Sequence, residues 1–381
     1  MEERYMLRAI ELAKEGVGKV NPNPLVGAVI VKDGEILSEG YHARYGELHA
    51  ERHAFSRLES GDAARGAEMY VTLEPCCHQG KQPPCTQAII EHGIRKVYVG
   101  SDDPNGLVAG KGIALLRQAG IEVETQVLKE ACDALNPVFF HYITEKTPYV
   151  VMKYAMTLDG KIACDNGKSQ WVTGERARAH VQETRNALAG IMVGIGTVLA
   201  DDPSLTCRIP GGRNPVRIIA DSHLRIPLES KLVQTAKEVA TIVAATEEGC
   251  SNYADKCHAL EKLGVKVLAV PGGGSVEGDG CVASARECLD LNALMKMLGN
   301  QGIDGILLEG GAALHHGALW AGIVQKIQVY IAPKIFGGGG SFTPVRGLGV
   351  EEPSGAFLFK NRRITDFGED ILLEYDCQRR Q

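Results

Sequence analysis

The residues best able to do chemistry lie in two short stretches. One is His49-Ala50-Glu51; the other runs Thr72-Leu-Glu-Pro-Cys-Cys-His-Gln-Gly-Lys-Gln-Pro-Pro-Cys85. One imidazole and two thiolates can hold a zinc ion and leave its fourth position open to water, the arrangement of a catalytic rather than a structural zinc. A nearby carboxylate that is not itself a ligand can then carry protons to and from that water. Glu51 stands two residues after His49, so one turn of chain can supply both ligand and base. Two plainer readings compete. Three cysteines within ten residues could form a structural zinc knuckle, but no partner Cys-x-x-Cys follows. His49 and His53 share the spacing of a zinc-protease helix, but that motif needs Glu directly after the first His, and Ala50 stands there.

H-x-E upstream of P-C…C is the pattern of zinc-dependent nucleoside and base deaminases. The usual closing C-x-x-C is stretched here: eight residues separate Cys76 from Cys85, among them His78, Gly80, Lys81 and Pro83-Pro84. This spacing and ending resemble the deaminase half of the bifunctional riboflavin-biosynthesis deaminase–reductase family. The resemblance implies His49, Cys76 and Cys85 as metal ligands and Glu51 as proton shuttle. It also implies Asn23 and His42 as substrate contacts and Lys81 as a phosphate partner. Cys77 stands where the family often has Ser and is not counted as a ligand.

At 381 residues the chain is long enough for two domains. Hydrophobic and charged shares of 44% and 23% are those of an ordinary globular protein. A formal net charge of −6 offers no basic field to a polynucleotide, so a small metabolite is the expected substrate. Met1-Glu-Glu-Arg-Tyr5 leads straight into an amphipathic pattern with no signal-peptide core, and no apolar run reaches membrane-spanning length. Eleven cysteines, mostly scattered singly, suit a reducing cytosol. Cys250/Cys257 and Cys281/Cys288 repeat one spacing, but the interval is long for a zinc knuckle, and buried or free thiols are expected there.

The elements that must position these residues can be read in order. Leu7, Ile10, Leu12 and Ala13 recur at helical spacing within 4–15, and Asn21-Pro-Asn-Pro24 ends that helix. Residues 25–31 and 35–40, joined by Asp33-Gly34, predict a hairpin. A helix is expected from His49 to about Leu58, then a strand over 69–73 that delivers Pro75-Cys76. Pro83-Pro84 should occupy the first turn of the next helix, which carries Gln87 to Glu91. A strand at 96–100, a helix at 111–118, a strand at 122–127 and a helix at 129–144 follow. This order predicts a three-layer α/β/α sandwich, with both ligand groups at strand-to-helix transitions where positive helix ends favour thiolates.

Lys146-Thr-Pro148 marks the expected boundary, giving domains 1–146 and 147–381. Beyond it, strands are expected at 149–155, 189–194, 216–220, 239–244, 265–270, 303–309, 324–332 and 369–375. Helices are expected at 175–188, 252–263, 288–298 and 312–321, a second α/β unit with its own core. The Gly-rich stretch from Pro271 to Gly280 reads as a surface loop. Gly194-Ile-Gly196 is half a dinucleotide fingerprint, better read alone as a tight turn. Glu309-Gly-Gly311, leaving a strand and entering a helix, is the better phosphate or ribose candidate.

Composition alone does not name this second domain. Lys153 to Gly160, Ser169-Gln-Trp171, Gly196 to Thr206 and Leu308-Glu-Gly-Gly311 resemble successive motifs of the same family's reductase half, which is similar in fold to dihydrofolate reductase and uses NADPH. The resemblance implies that the cofactor meets Ala155, Trp171, Thr197, Asp201, Ser222 and the turn from Gly311 to Gly317. It places the ribose phosphate substrate against Ser169, Arg185, Leu205, Arg208 and Glu309, with Lys153 and Asp201 nearest the reacting sugar. Zn2+ and NADPH are therefore the expected cofactors. The expected activity is hydrolytic deamination of a 2,5-diamino-6-ribosylamino-pyrimidinone 5′-phosphate, then reduction of its ribosyl group to a ribityl chain. The expected partners are that phosphorylated pyrimidine and further copies of the chain, with no nucleic acid and no membrane, in the cytoplasm. The alternatives are a stand-alone nucleotide deaminase with a structural C-terminal domain, and a metal-bearing binding module, against which an intact Glu51 argues.

Overall fold

The hairpin and the alternating helices and strands resolve into two α/β units, Met1–Lys146 and Thr147–Gln381. The computed structural model describes residues 2–273, 288–339 and 342–378. The first unit comprises α1 (Glu3–Lys14), β1 (Gly27–Lys32), β2 (Glu35–Tyr41), α2 (Ala50–Ser56), β3 (Glu68–Leu73), α3 (Cys85–Glu91), β4 (Lys96–Ser101), α4 (Lys111–Gln118), β5 (Glu122–Glu124), α5 (Lys129–Asp133) and α6 (Pro137–Glu145). Its sheet has the order β2-β1-β3-β4-β5. β1 is antiparallel to β2 and β3, while β3, β4 and β5 run parallel. Asp33 and Gly34 both take positive φ, 51° and 82°, as a two-residue hairpin turn requires.

Successive residues of β1 point to opposite faces and so enter different cores. Ala28 and Ile30 pack with Ala50, Ala54 and Phe55 of α2, Ala88 and Ile89 of α3 and Leu116 of α4. Val29 and Val31 pack with Tyr5, Met6, Ala9 and Ile10 of α1 and Cys132 of α5. Helices therefore cover both faces, giving the three layers.

Three expectations for this unit need correction. The helix over 129–144 is two helices, because Pro137 has no N–H to donate and its ring clashes with the preceding turn. Asn136 fills the break by bonding the main chain of Leu25 twice, accepting from its N–H at 2.7 Å and donating to its C=O at 2.9 Å. Pro83-Pro84 precede α3, with Pro84 as its cap, instead of forming its first turn. The strand over 122–127 stops at Glu124.

The second unit comprises β6 (Tyr149–Thr157), α7 (Glu175–Ala187), β7 (Gly190–Gly194), α8 (Ile195–Asp201), β8 (Val216–Ala220), α9 (Lys231–Gln234), β9 (Thr241–Thr246), α10 (Glu247–Asn252), α11 (Ala254–Lys262), β10 (Lys266–Val270), α12 (Leu291–Asn300), β11 (Gly305–Leu308), α13 (Ala312–Trp320), β12 (Val324–Ala332), β13 (Phe359–Asp366) and β14 (Ile371–Cys377). The nine strands lie in the order β10-β9-β8-β7-β11-β6-β12-β14-β13. All neighbours from β10 to β12 are parallel; β14 is antiparallel to β12 and β13. Leu294, Met295 and Leu298 of α12 and Ala318 and Leu319 of α13 fill one core. Val198 of α8, Leu232 and Val233 of α9 and Leu260 of α11 fill the other.

Here too the structure departs from the expected pattern. β13 was not expected: nearly all of its residues are exposed and polar, so it shows no alternation. β7 passes directly into α8, so Gly194-Ile-Gly196 begins a helix and is not merely a tight turn. The helix expected at 252–263 is α11, and a short helix that was not expected, α10, precedes it, capped by Thr246 accepting from the Gly249 N–H at 3.0 Å. Most of the Gly-rich stretch after Pro271, and Cys281, lie outside the described residues. Among the described residues no helix is long and apolar enough to cross a membrane.

Close approach of helix to sheet fixes where α2 sits. A Cβ built on Gly40 of β2 would lie 2.3 Å from the main-chain N of Ala54 and 2.4 Å from the main-chain O of Ala50. Backbone cannot yield as a flexible side chain can. Gly40→Ala should therefore cost about 3 kcal/mol, the upper end for overpacking, in denaturant unfolding followed by tyrosine fluorescence. A loss below about 0.5 kcal/mol, the range of ordinary surface changes, would show that α2 shifts freely.

Candidate active site

His49 caps α2 in an extended conformation, which turns its ring toward the end of β3. There Leu73-Glu-Pro75 delivers Cys76, and Cys85 opens α3. His49 Nδ1 lies 3.5 Å from Cys76 Sγ and 3.4 Å from Cys85 Sγ. The three donor atoms all fall within 4.8 Å of one another. The two cysteine turns are laced together: the Thr86 N–H and hydroxyl both donate to the Cys76 carbonyl at 3.2 Å, and the Cys85 N–H donates to Cys76 Sγ at 3.3 Å. Arg52, one residue beyond Glu51, donates to the carbonyls of Pro83 and Pro84 at 2.9 and 2.8 Å. It thereby ties α2 to the turn that carries Cys85. His53 does not point at this cluster; its Nδ1 is engaged with the main chain of Tyr41, which disposes of the zinc-protease pattern.

The donor set fits a zinc ion. Bonds of about 2.3 Å to sulfur and about 2.0 Å to nitrogen place tetrahedral N and S donors roughly 3.5 Å apart, close to the two separations found. The thiols are prepared for a cation as well. The hydrogen bond from Cys85 pushes the Cys76 thiol down to about 4, and the same bond, with burial, pushes Cys85 well up. A dication bound by both sulfurs would displace whatever protons they carry. Glu51 is 3% exposed. Burial raises its carboxyl, and the Cys76 thiolate raises it further.

A cavity of about 240 Å³ opens beside this cluster, and Asn23, His42, His49, Glu51, Cys76 and Lys81 all line it. His42 Nδ1 lies 2.9 Å from the Leu48 carbonyl, so that nitrogen carries the proton. Its Nε2 then accepts from Asn23 Nδ2 at 3.1 Å. Burial lowers the His42 pKa, consistent with a neutral ring. The Lys81 ammonium sits 3.9 Å from the centre of the Tyr45 ring, a cation–π contact. Two lining residues escaped the sequence reading of the site. His78 lay within the quoted motif; its Nδ1 is buried with no hydrogen-bond partner. Asp103, whose carboxyl burial pushes up to about 6, follows β4; polar residues just past a parallel strand are the signal that points to it.

In the second unit, Arg185 of α7 grips Glu309 with two bonds, Nε to Oε1 at 2.7 Å and Nη2 to Oε2 at 2.8 Å. Its third nitrogen donates to the Thr206 carbonyl at 3.0 Å. Lys153 Nζ lies 3.9 Å from Glu309 Oε2 and 5.6 Å from the centre of the Tyr330 ring. Burial alone would raise the Glu309 carboxyl, but Arg185 and then Lys153 hold it below its ordinary value, with a further pull from Arg208. Burial lowers the Lys153 ammonium, against the pull of Glu309. The structure thus brings Lys153, Arg185 and Glu309 together, with Arg208 in the exposed loop beyond Thr206. Leu205, buried and at φ 50°, belongs to the same loop as Thr206 and Arg208.

The positions expected to meet a dinucleotide are distributed along the carboxyl ends of adjacent parallel strands, where such ligands bind in open α/β sheets. Ala155 lies in β6, Gly311 follows β11, Thr197 follows β7 and Ser222 follows β8. The turns after β7 and β11 touch, the Gly194 N–H donating to the Gly310 carbonyl at 3.4 Å. Gly310 and Gly311 take φ of 125° and 87°, and a Cβ on Gly310 would lie 3.2 Å from Thr197 Oγ1. Such a bare-backbone cradle suits a pyrophosphate. Trp171 is 56% exposed, with the Arg178 guanidinium 4.7 Å from its ring centre; Ser169 lies two residues before it. Asp201 closes α8, largely exposed, and among the described residues no ion pair links it to Lys153. Gly317 is not in a turn: it sits within α13, facing Leu291. His315, absent from the sequence reading, accepts from the Gly310 N–H at 3.1 Å and donates to the Pro344 carbonyl at 2.8 Å.

Residues 148–373 match the family described as the RibD C-terminal domain, and residues 1–101 match the cytidine and deoxycytidylate deaminase zinc-binding region. The riboflavin biosynthesis protein RibD of Actinobacillus pleuropneumoniae is 52% identical, over 97% of this chain and 94% of its own. The chain belongs to the RibD family. Among solved structures, Acinetobacter baumannii RibD is similar with a TM-score of 0.84 at 34% identity, over 99% of this chain and 98% of that one. A Thermotoga maritima protein, described as a diaminohydroxyphosphoribosylaminopyrimidine deaminase/5-amino-6-(5-phosphoribosylamino)uracil reductase, gives 0.81 at 37% identity, over 99% and 98%. The RibD likeness spans both sheets, so the fold is a deaminase-like α/β/α unit followed by a reductase-like α/β unit.

In this RibD-family chain, Cys77 is half-buried and its thiol lies 3.6 Å from the Leu107 carbonyl, outside the donor triad. Cys77→Ser should therefore retain about one zinc per chain, and Cys85→Ser should lose it, as read by elemental analysis after gel filtration. Retention in Cys85→Ser together with loss in Cys77→Ser would reassign the ligands.

Proposed function

We propose that the chain is a bifunctional enzyme of riboflavin biosynthesis. The first unit deaminates 2,5-diamino-6-ribosylamino-4(3H)-pyrimidinone 5′-phosphate, and the second reduces the ribosyl group of the product with NADPH. The observation that carries this reading is the presence, in one chain, of the His49–Cys76–Cys85 triad beside a buried Glu51 and of the half-buried Lys153–Arg185–Glu309 cluster near two touching glycine turns.

His49, Cys76 and Cys85 would hold a zinc ion, which when bound would supply an activated water. Glu51 is placed to take a proton as a water oxygen bonds to the ring carbon bearing the amino group, and to pass it to the amino nitrogen, which would leave as ammonia. Asn23 and the neutral His42 form a hydrogen-bonded pair on the cavity wall that can orient the ring, and Lys81 offers a charge to the phosphate.

In the second unit, NADPH when bound would supply the hydride that reduces C1′ of the opened ribose. Arg185 holds Glu309 in one orientation, and the Lys153 ammonium sets a positive charge beside it. Ser169, Leu205 and Arg208 complete the proposed substrate contacts. Ala155, Trp171, Thr197, Asp201, Ser222, Gly311 and Gly317 are the proposed cofactor contacts. A purely structural second unit gives no reason to bury an ammonium next to a clamped carboxylate, since such burial rarely stabilises. The reading also expects a homo-oligomer in the cytosol; eleven cysteines scattered mostly singly suit a reducing compartment.

Two substitutions test the division of labour. Glu51→Gln should keep its zinc and lose ammonia release by about a hundredfold or more, the scale of general acid–base catalysis, while reducing the deaminated intermediate normally. Near-normal ammonia release would mean that another group moves the proton. Lys153→Ala should abolish substrate-dependent NADPH oxidation while ammonia release continues, followed by parallel ammonia and 340 nm assays. An equal fall in both rates would show that the two reactions share a centre.

A further inference from the structure

We infer that Glu74 is a positioning residue for the metal ligand Cys76, anchoring the Glu74-Pro75-Cys76 segment to the N-terminus of α4. This rests on the ligand assignment above. Glu74 is 3% exposed and lines the cavity beside the cluster. It neither belongs to the donor triad nor pairs with a basic side chain among the described residues. Instead its carboxylate accepts three main-chain N–H bonds from the start of α4. Oε2 accepts from Gly110 at 3.0 Å; Oε1 accepts from Gly112 at 3.0 Å and from Ile113 at 3.2 Å. Those N–H groups have no partner inside the helix, and a charged acceptor makes each bond stronger than a neutral one would. The positive end of the helix favours the same charge.

The main chain of Glu74 is held from the other side. Its N–H donates to the Ser101 carbonyl at the end of β4, at 2.9 Å. Residue 74 is thus fixed at its backbone by one element and at its side chain by another. Between it and the ligand stands only Pro75, whose ring fixes φ. The Pro75 carbonyl rests against α4 where a Cβ on Gly112 would lie 2.2 Å from it. From the carboxylate to Cys76 there is almost no free torsion left, and α4 becomes a seat for the ligand turn. Metal donors tolerate only a few tenths of an ångström of misplacement. Groups that orient ligands without touching the metal accordingly cost about 10–100-fold in metal affinity or activity when lost.

The test uses the full chain, loaded with zinc for release to a chromophoric chelator and with cobalt(II) for its visible d–d spectrum. Glu74→Ala should release zinc about 10–100-fold faster and show a shifted, weakened cobalt spectrum. Glu74→Gln keeps an oxygen for Gly112 and Ile113 but turns an NH2 toward the Gly110 N–H, so it should fall between Ala and the parent. Cys85→Ser, run in parallel, should hold no metal; if it does, the ligand assignment has failed and not the role of Glu74. A Glu74→Ala protein that melts lower but keeps the parent's release rate and cobalt spectrum would overturn the inference, since that is what a purely structural cap predicts. If Glu74→Ala does not fold, Glu74→Gln decides: parental zinc release overturns the positioning role, and faster release with a shifted cobalt spectrum supports it.

Discussion

The gathering of the His49 ring and two cysteine sulfurs at 3.4 and 3.5 Å is the constraint on which the first unit depends. A thiolate withdrawn from water is expensive unless something pairs with it. Here the pairing within the protein is incomplete. Cys76 gains a bond from Cys85, from the Cys85 N–H and from His49, yet the cluster leaves a buried Glu51 carboxyl beside it, raised by burial and by the negative sulfur. A dication at the centre would relieve both problems at once, because a bound cation inverts the local electrostatics. The cluster is therefore better suited to the metal than to its absence. The elements around it are arranged to bring the donors together in spite of that cost. β3 ends at Leu73, α3 begins at Cys85 and α2 begins just after His49. Arg52 and Thr86 stitch the three ends to one another.

The second unit meets a related problem with other means. A half-buried carboxylate is stabilised by a bidentate guanidinium, and a half-buried ammonium stands 3.9 Å away, beyond direct hydrogen-bond reach. Replacing such a group of ions with apolar residues is often neutral or favourable for stability. Its placement at the carboxyl ends of the parallel strands thus argues for chemistry. The ammonium is the telling member. Glu309 is already satisfied by Arg185, so Lys153 remains available to a bound molecule.

Much of this was legible in the sequence, for definable reasons. The metal triad and Glu51 could be read because their chemistry restricts the residue types and a short segment holds nearly all of them. The hairpin was legible from Asp33-Gly34, and most strands from their apolar runs. The misses have physical causes. β13 is exposed and polar, and exists because β14 offers it an edge to pair with. α8 has only seven residues and contains a glycine. Arg52, Asp103 and His315 carry no motif; only the fold shows that Arg52 reaches Pro83 and Pro84, or that His315 bridges Gly310 and Pro344. The resemblance put Gly317 at the end of a turn from Gly311, but that turn closes at once into α13, the helix that the apolar pattern over 312–321 predicts.

What a sequence motif leaves out is how firmly its residues are held, and here that depends on residues with no chemistry of their own. Gly40 allows α2, and with it His49 and Glu51, to lie directly on β2; Gly112 does the same for α4 against Pro75. At both places the opposing atoms are backbone, so a methyl group would move an element rather than a side chain. A displacement of a few tenths of an ångström there is carried to a donor atom almost undiminished, because the connecting segments are short: Gly112 touches Pro75, one residue from Cys76, and the α2 backbone against Gly40 begins one residue after His49. A metal site built this way resists distortion only as well as its least replaceable close contact. The glycines in these seats are thus part of the site's chemistry, although neither could ever touch metal or substrate.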